Sequence, residues 1–337
     1  MAGVPRKVRV LMSEPSPGAR TNPYVSQLFA ALDGVDGVNV EPMNIKHLLW
    51  GQFDVFHVHW PETLVRKSTP LRSLLGASSL AWFLLRTSRT RPAVVRTVHN
   101  LDPHERLGWP GSVLVKALER RTVCAIHLTD ATRMDRNERQ FVIPHGHYRD
   151  WYVDAPRLAP IRGRLAYFGL LREYKGVESL ISAFAAHEGL GYSLHVTGGG
   201  ASPSYEELLR SLADADDRVR LRTEYLNEDE LARHITSAEL VVLPYRYMVN
   251  SGAALLALSL DRPILVRASQ SMKELQSEVG PGWVSLFDGE LSAADLRSAL
   301  VAARGAATDV GPNLASRDWR AAALGHENVY RAALDDR

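Results

Sequence analysis

The segment LAYFGLLREYKG, residues 165–176, carries the strongest structural signal in this chain. Its first residues form a buried strand that ends at Gly169. A short loop then presents Arg172 and Lys175 before Gly176 opens the amphipathic run VESLISAFAA. Two cations beside a helix N-terminus, with its unpaired N–H groups and positive dipole end, form a natural diphosphate seat. A solvated loop between a strand and a helix is the structural alternative, because Arg and Lys are common on such surfaces.

Short β-rich runs alternate with helical periodicity on both sides of this segment, which is the pattern of parallel α/β layers. The sequence predicts strands at KVRVLM, VNVEP, DVFHVHW, AVVRTVHN, AIHLT and FVIP in the first half, and at RLAYFG, SLHVTG, RVRLR, ELVVLPY, PILVR and WVSLF in the second. It predicts helices at 24–32, 71–85, 112–121, 177–186, 205–213, 229–237, 251–260 and 293–303.

These elements predict an α/β protein of two Rossmann-like, doubly wound domains. Two such domains in tandem place their strand ends, and therefore the ligand site, across one cleft. The stretch GHYRDWYVDAPRLAPIRGR is rich in proline and charge and reads as the linker between them. We therefore expect domains at 1–155 and 156–316, followed by a C-terminal helix at 317–337, and the sequence leaves open whether that helix packs back on the first domain.

Size and composition narrow the class of protein. A chain of 337 residues is long enough for two domains with cores of their own, and 45% hydrophobic with 23% charged residues is typical of a soluble globular protein. The single cysteine, Cys124, excludes an intramolecular disulfide and a cysteine-based metal cluster, and it fits a reducing compartment. No secretory signal is visible before the first strand, so we expect a cytoplasmic protein.

The net charge of +2 conceals an asymmetry between the halves. Residues 1–160 hold 21 Lys and Arg against 14 Asp and Glu, whereas residues 161–337 hold 19 against 24. Much of the excess surrounds LLGASSLAWFLL, residues 74–85, which is too short to span a bilayer because a span needs about 20 residues. The segment 66–91 can lie on an anionic membrane surface, or it can form an interior helix with a basic edge. Nucleic acid is not an expected partner, since no recognisable binding module accompanies the charge.

Several catalytic motifs are missing. The first strand ends in MSEPSPGARTNPY, which lacks the G-x-G-x-x-G of dinucleotide sites, and the chain has no Walker lysine motif, HExxH pair or G-x-S-x-G elbow. Gly198, Gly199 and Gly200 directly follow the strand SLHVT. Three glycines there permit close backbone approach to a ligand, and a flexible turn is the alternative.

The second half resembles the donor-binding domain of GT-B glycosyltransferases, the two-domain enzymes that use nucleotide-sugars. Four pieces occur in the family's order: FGLLREYKGVESLISAF, HVTGGG, NEDELARHITSAELVVLPY and SGAALLALSLDRPILV. The resemblance implies that Arg172 and Lys175 hold the donor diphosphate. It also assigns Gly198 and Gly199, and the pair Ser251 and Gly252 with the preceding Asn250, to the donor site.

The first half resembles the same family at two strand ends. VIPHG corresponds to the element before the linker, with His145 where asparagine is usual, and TVHN corresponds to the strand end whose histidine, here His99, reaches the donor sugar. The combination of HVHWPE, TVHNLDPHE and PYRYMVNSGAALLAL is closer to the GDP-mannose:glycolipid mannosyltransferases of exopolysaccharide assembly. This resemblance implies transfer of mannose from GDP-mannose to a lipid-linked or polysaccharide acceptor, with no cofactor required.

One departure from the family concerns the mechanism. Many retaining members carry two glutamates eight positions apart, and the matching positions here are Val249 and Ala257. The absence of both glutamates fits an enzyme that inverts the configuration of the transferred sugar. No DxD triplet follows a strand, so a metal ion is not demanded.

An inverting transferase needs a base for the acceptor hydroxyl. The candidates are Asp102, His104 and Glu105 of HNLDPHE, and the secondary candidates are Glu62 and Glu14. Each has a structural alternative as a turn or cap residue.

Three other groups stand at strand or helix ends. Arg246 follows a strand end, where we interpret it as a second diphosphate or sugar contact, with simple surface exposure as the alternative. His57 and His59 share one strand face, and we interpret them as polar residues near the ligand and not as a metal pair. Asn22 opens the first helix, as a cap or as a ligand contact.

Three rival functions remain from the sequence. The first is a UDP- or GDP-sugar transferase that acts on a soluble small molecule. The second is a non-catalytic nucleotide-sugar binding protein, since fold does not fix function. The third is an epimerase with the same two-domain fold.

Overall fold

The computed structural model describes residues 6–16, 22–66, 69–90, 92–99, 107–133, 138–187, 189, 191–247, 251–306 and 310–335, and of residues 87–90 it describes the backbone alone. Four of the predicted site residues lie outside these ranges: Asp102, His104, Glu105 and Asn250. The chain divides into two compact units. The first runs to Gly146 and takes in the segment from Ser316 onward, and the second runs from His147 to Ala315.

Twelve strands and twelve α-helices occur in the described part of the chain. The strands are β1 (Val8–Met12), β2 (Val38–Pro42), β3 (Val55–Val58), β4 (Ala93–Val98), β5 (Thr122–His127), β6 (Arg139–Val142), β7 (Arg164–Phe168), β8 (Ser193–Thr197), β9 (Val219–Arg222), β10 (Leu240–Leu243), β11 (Ile264–Arg267) and β12 (Val284–Phe287). The helices are α1 (Pro23–Asp33), α2 (Ile45–Trp50), α3 (Glu62–Val65), α4 (Pro70–Thr90), α5 (Trp109–Glu119), α6 (Val177–Ala185), α7 (Pro203–Asp214), α8 (Glu228–Thr236), α9 (Gly252–Ser259), α10 (Gln270–Val279), α11 (Ala293–Arg304) and α12 (Trp319–Asp335).

Each unit is built on one parallel sheet of six strands. The first has the order β2-β1-β3-β4-β5-β6 and the second the order β12-β11-β10-β7-β8-β9. In each sheet the chain adds strands first toward one edge and then toward the other. This reversal of strand order lies between β1 and β3 in the first sheet and between β7 and β10 in the second. Ligands of such sheets bind outside the carboxyl ends of the strands at this reversal. The two doubly wound α/β sheets predicted from the sequence are confirmed.

The C-terminal helix α12 belongs to the first unit. Its side chains Trp319, Ala323 and Tyr330 are buried in the same core cluster as Val10 of β1 and Val55 of β3. The helix therefore closes one face of the first sheet, although it follows the whole second unit in the chain.

The stretch that directly follows Gly146 is part of the second unit. The side chains of Tyr148 and Tyr152 are buried in the second core, and the backbone N–H of Tyr148 donates to Ser259 Oγ at 2.9 Å. The sequence interprets this stretch as part of the linker, because it lacks a clear period, and sets the domain boundary after residue 155. Two buried tyrosines in an irregular segment are enough to attach it to the second core.

Helix α4 contains the charge-free run of residues 74–85. One face is buried through Leu80, Phe83 and Leu84, which pack with Phe56 of β3. The opposite face is exposed and still apolar, with Leu85 71% exposed. The interior-helix interpretation is thus correct for one face only. No helix in the described ranges is long and apolar enough to cross a membrane.

Candidate functional site

The loops after β7 and β10 meet where the second sheet reverses. The backbone N–H of Arg246 donates to the carbonyl of Tyr174 at 2.9 Å and ties the two loops together. Gly176 has φ +66°, and a Cβ there would lie 2.5 Å from the carbonyl oxygen of Pro244. The glycine is therefore required both by its backbone conformation and by the close approach of the β10 loop.

Lys175 is the half-buried cation of this site. Its ammonium nitrogen lies 3.4 Å from the centre of the Tyr245 ring, directly over the aromatic face. Such a contact stabilises the charged ammonium group, whereas removal of that group from water destabilises its charged form. Burial prevails and lowers the pKa of Lys175 to about 8.

Arg172 is exposed at the start of the short 3-10 turn Glu173–Lys175. Its side chain makes no hydrogen bond or ion pair with another residue of the described ranges, so its guanidinium is available to a ligand. Arg172 and Lys175 therefore place two cations in one short loop at the sheet reversal, where the sequence predicted a diphosphate.

The first turn of α6 carries Glu178, whose carboxylate is paired with other side chains. The hydroxyl of Tyr205 donates to Glu178 Oε2. Arg246 pairs with the other oxygen of this carboxylate, Glu178 Oε1, at 2.7 Å. The expectation that this helix end joins the cations in a diphosphate seat stays a prediction. Arg246 is exposed, as its structural alternative predicts, and carries an ion pair.

The glycines after β8 are explained by packing between loops. A Cβ on Gly198 would lie 1.7 Å from the carbonyl oxygen of Gly169, and a Cβ on Gly199 would lie 2.5 Å from the Tyr225 ring. The carbonyl of Gly199 accepts a hydrogen bond from the backbone N–H of Leu171 at 2.9 Å. These glycines hold the β8 loop against the β7 loop, and so they position the segment that carries Arg172.

Helix α9 begins at Gly252 behind a side-chain cap. Ser251 is buried, and its Oγ accepts from the N–H of Ala254 at 3.1 Å. Ala257 is fully buried, so the position where many retaining enzymes have a glutamate is part of the apolar core. The other such position, Val249, lies outside the described residues.

The strand ends of the first unit bring histidines together at the sheet reversal. His57 is fully buried between two hydroxyl groups, with Nδ1 2.8 Å from the Tyr330 oxygen and Nε2 2.8 Å from Thr97 Oγ1. The rings of His57 and His59 are 4.4 Å apart, as expected for alternate residues on one strand face. His59 Nδ1 lies 3.1 Å from His99 Nε2, which joins the ends of β3 and β4.

Aromatic rings surround these histidines. Trp60 stacks on His99 at 4.2 Å with 18° between the planes, and Tyr24 meets the same ring edge-on at 5.1 Å. Tyr24 also lies 4.6 Å from His145. Helix α1 positions Tyr24 because Asn22 caps it, accepting from the Tyr24 N–H at 3.0 Å. The capping interpretation of Asn22 is therefore correct.

Burial keeps five histidines of this unit neutral. It lowers the pKa of His59 to about 3, and the pKa values of His145 and His326 to about 4. It also holds the pKa values of His57 and His99 well below their usual range. Neighbouring histidines add to the effect, since each would repel a second positive charge. At neutral pH these rings bind by hydrogen bonds and stacking.

Sequence reasoning missed several side chains of these two regions. Tyr245 and Glu178, which contact Lys175 and Arg246, gave no signal because aromatic and acidic residues are ordinary at strand and helix ends. His326 and Tyr330 come from α12, whose contact with β3 requires the tertiary fold. A weak signal was available there, since the two residues are four apart and share one helix face. In the described ranges no group of three or more His, Cys, Asp or Glu side chains is arranged to hold a metal ion.

Comparisons with known proteins agree with this geometry. Residues 162–301 match the family model described as "Glycosyl transferases group 1". A GDP-mannose:glycolipid 4-beta-D-mannosyltransferase of Xanthomonas campestris pv. campestris is 39% identical over 333 residues, which cover 99% of this chain and 94% of the relative.

Solved structures with low sequence identity share the fold. They include sucrose-phosphate synthase of Thermosynechococcus elongatus (TM-score 0.65, 16% identity, 98% of this chain and 100% of that one) and starch synthase IV of Arabidopsis thaliana (0.63, 11%, 98% and 100%). Anabaena HepE in complex with UDP and glucose also matches (0.61, 13%, 98% and 98%). The predicted GT-B fold is confirmed.

Proposed function

Because the chain belongs to the group 1 glycosyltransferase family, we propose that this glycosyltransferase moves mannose from GDP-mannose to a lipid-linked saccharide. The observation that carries the proposal is the 39% identity, over nearly the full length of both chains, to an enzyme named for GDP-mannose and a glycolipid. The motif resemblance to enzymes of exopolysaccharide assembly favours an acceptor of that class.

The loop after β7 supports the proposed donor chemistry. A nucleotide-sugar carries a diphosphate that becomes the leaving group, and its charge must be stabilised as the glycosidic bond breaks. Arg172 is exposed and Lys175 is half-buried in the same loop, so they can offer two positive charges to one diphosphate. We propose that these cations perform this role without a metal ion.

The stereochemistry that we propose is inversion. The relative's name specifies a 4-beta linkage, and GDP-mannose has an α-linked sugar, so a β product requires a single displacement. A single displacement needs a base for the acceptor hydroxyl. Asp102, His104 and Glu105 remain our candidates for that base, and we propose that His99 and His145 contact the donor sugar.

A transfer assay tests this function. The purified chain is incubated with radiolabelled GDP-mannose and host membranes, and label is counted in the organic-solvent extract. We expect label with GDP-mannose, none with UDP-glucose, and at least tenfold less with Arg172→Ala/Lys175→Ala. The matched control is Arg233→Ala/Lys273→Ala, which removes two exposed cations of the same unit and should leave transfer unchanged.

Other outcomes of the assay identify the rivals. Transfer of label to a water-soluble product would mean that the acceptor is a soluble small molecule and not a lipid-linked saccharide. Nucleotide binding without any transfer would favour a non-catalytic binding protein. Release of free sugar without an acceptor would favour the epimerase reading.

We also propose that the first unit contacts the cytoplasmic face of an anionic membrane, where lipid-linked acceptors reside. Helix α4 packs against α2 and α5, and these three helices expose apolar side chains to solvent. The exposed residues include three tryptophans, of which Trp109 is 80% exposed, and Trp50 and Trp82 have rings 6.0 Å apart. The full set is Ile45, Trp50, Leu71, Leu74, Leu75, Trp82, Leu85, Trp109 and Val113.

Charge complementarity favours a membrane as the occupant of this apolar surface. Exposed cations stand on the same helices or next to them, namely Lys46, Arg66, Arg72, Lys116 and Arg120. Tryptophan is typical of the bilayer interface, and basic residues near an anionic surface each contribute about 1 kcal/mol. The surface is therefore wider than the segment 66–91 predicted from the sequence, since it includes α2 and α5.

Vesicle flotation tests the contact. We expect the protein to float with equimolar phosphatidylglycerol and phosphatidylcholine vesicles, and much less with phosphatidylcholine alone. Trp50→Ser/Trp109→Ser should abolish flotation, whereas Val153→Ser/Val301→Ser, which removes equally exposed apolar side chains of the second unit, should not. Failure of the wild type to float would refute the contact and leave the transfer activity standing.

A further inference from the structure

The hydrogen bond between His59 and His99 joins a buried ring to a partly exposed one. His59 follows β3 and is 2% exposed, and His99 follows the neighbouring strand β4. Nδ1 of His59 and Nε2 of His99 are 3.1 Å apart. Between two neutral rings, one nitrogen donates the proton and the other accepts it.

The surroundings of His59 decide which ring donates. Its other nitrogen, Nε2, is buried and has no hydrogen-bond partner in the described ranges. If Nε2 carried the proton, an N–H would be buried without an acceptor, and such orphaned donors are rarer in proteins than unsatisfied acceptors. The proton therefore sits on Nδ1 of His59, which donates to His99.

The consequence for His99 follows from its own neutral state. A neutral imidazole that accepts at Nε2 carries its proton at Nδ1. Trp60 stacks on the ring at 4.2 Å and Tyr24 meets it edge-on at 5.1 Å, so the plane of the ring is held as well as its tautomer.

We propose that His59 is a positioning residue that fixes His99 as the Nδ1–H tautomer, with Nε2 of His99 occupied by the His59 N–H, so that His99 does not act as the base. This inference rests on the proposed function, in which His99 contacts the sugar. It moves the search for the base away from the histidine pair and toward the acidic candidates that follow in the chain.

Nitrogen NMR of the full chain with ¹⁵N-labelled histidine tests the tautomer directly. The His99 signals are assigned by comparison with His99→Asn. We expect Nδ1 of His99 to be protonated and Nε2 to be unprotonated at neutral pH. His59→Phe removes the donor and should shift His99 toward the Nε2–H form. His59→Asn, whose amide nitrogen occupies nearly the place of Nδ1, should preserve the wild-type signals.

Transfer kinetics test the consequence for catalysis. His59→Phe should lower kcat/KM by about tenfold, the order of loss when one hydrogen bond is removed, and His59→Asn should restore most of it. If His59→Phe does not fold, the tautomer of His99 in the wild type and in His59→Asn still tests the inference. A wild-type His99 protonated at Nε2 would overturn the inference. The expected tautomer in a protein that shows no transfer would instead overturn the proposed function.

Discussion

The ammonium group of Lys175 lies over the ring of Tyr245 at 3.4 Å, and this contact joins the loop after β7 to the loop after β10. Burial against the ring lowers the pKa of Lys175 to about 8. A bound diphosphate favours the charged form and raises this pKa again. Binding above pH 8 must therefore take up a proton.

The first prediction is a pH dependence of nucleotide affinity. Affinity should be constant below pH 7 and should fall as pH rises through 8, by up to about tenfold per pH unit, because the free lysine is then neutral. Calorimetry in buffers of different ionisation enthalpy measures the proton uptake. Lys175→Arg keeps its charge at these pH values and should lose the dependence. A wild type with flat affinity to pH 10 would contradict this account of Lys175.

The second prediction concerns the two arginines of the second unit. Arg172 makes no ion pair within the described ranges, whereas Arg246 is paired with Glu178 at 2.7 Å. Release of Arg246 to a ligand would leave the half-buried Glu178 carboxylate without its cation. Arg172→Ala should therefore reduce diphosphate affinity several-fold more than Arg246→Ala in the same calorimetric titration. The reverse order would mean that the ion pair opens on binding.

The third prediction concerns Gly198, which holds the loop after β8 against the loop after β7. A Cβ at Gly198 would lie 1.7 Å from the Gly169 carbonyl, so Gly198→Ala should lower the free energy of unfolding by about 1–3 kcal/mol. It should also weaken nucleotide binding, because the β7 loop must move. The control is Gly108→Ala, where a Cβ meets nothing within 4 Å. Denaturant unfolding measures the stability of both variants. A Gly198→Ala protein with an unchanged free energy of unfolding would refute the packing role of Gly198.

The fourth prediction is acid destabilisation by the histidines of the first unit. The pKa values of His145 and His326 are about 4 in the folded protein and near 6.5 when unfolded, so the unfolded chain binds more protons as pH falls. The contribution of these two histidines to stability should be constant above pH 6.5 and should fall below it, by about 1.4 kcal/mol per pH unit for each histidine. His326→Gln should flatten this slope, whereas His47→Gln, at a half-exposed position, should not. Melting temperatures between pH 7 and 4.5 measure the slope, and identical curves for all three proteins would contradict the prediction.

All twelve strands of the two sheets could be predicted from the sequence, because each overlaps a short run that is either apolar or alternates between apolar and polar residues. Helices α2, α3 and α10 were not predicted. The first two have six and four residues, too few to show a helical period. Helix α10 does carry a signal in Met272, Leu275 and Val279, which recur on one face and are buried.

The candidate site could be predicted only where its residues are close in sequence. Arg172 and Lys175 are in one loop, and a strand–loop–helix pattern identifies them. The partner of Arg246 is Glu178, 68 positions away, and the contact depends on how two loops meet. Tyr330 reaches His57 across 273 positions through α12. Such contacts are products of the tertiary fold, and no local pattern encodes them.

Calorimetric titration of GDP, UDP, ADP and dTDP into the wild type, Arg172→Ala/Lys175→Ala and Arg233→Ala/Lys273→Ala decides whether the loop after β7 binds a nucleotide-sugar. We expect GDP to bind the wild type and the control variant most tightly and the Arg172→Ala/Lys175→Ala variant to lose this binding. Tight binding of another nucleotide would contradict the GDP-mannose donor. A folded wild type that binds none of the four would contradict a nucleotide-sugar site at the loop after β7.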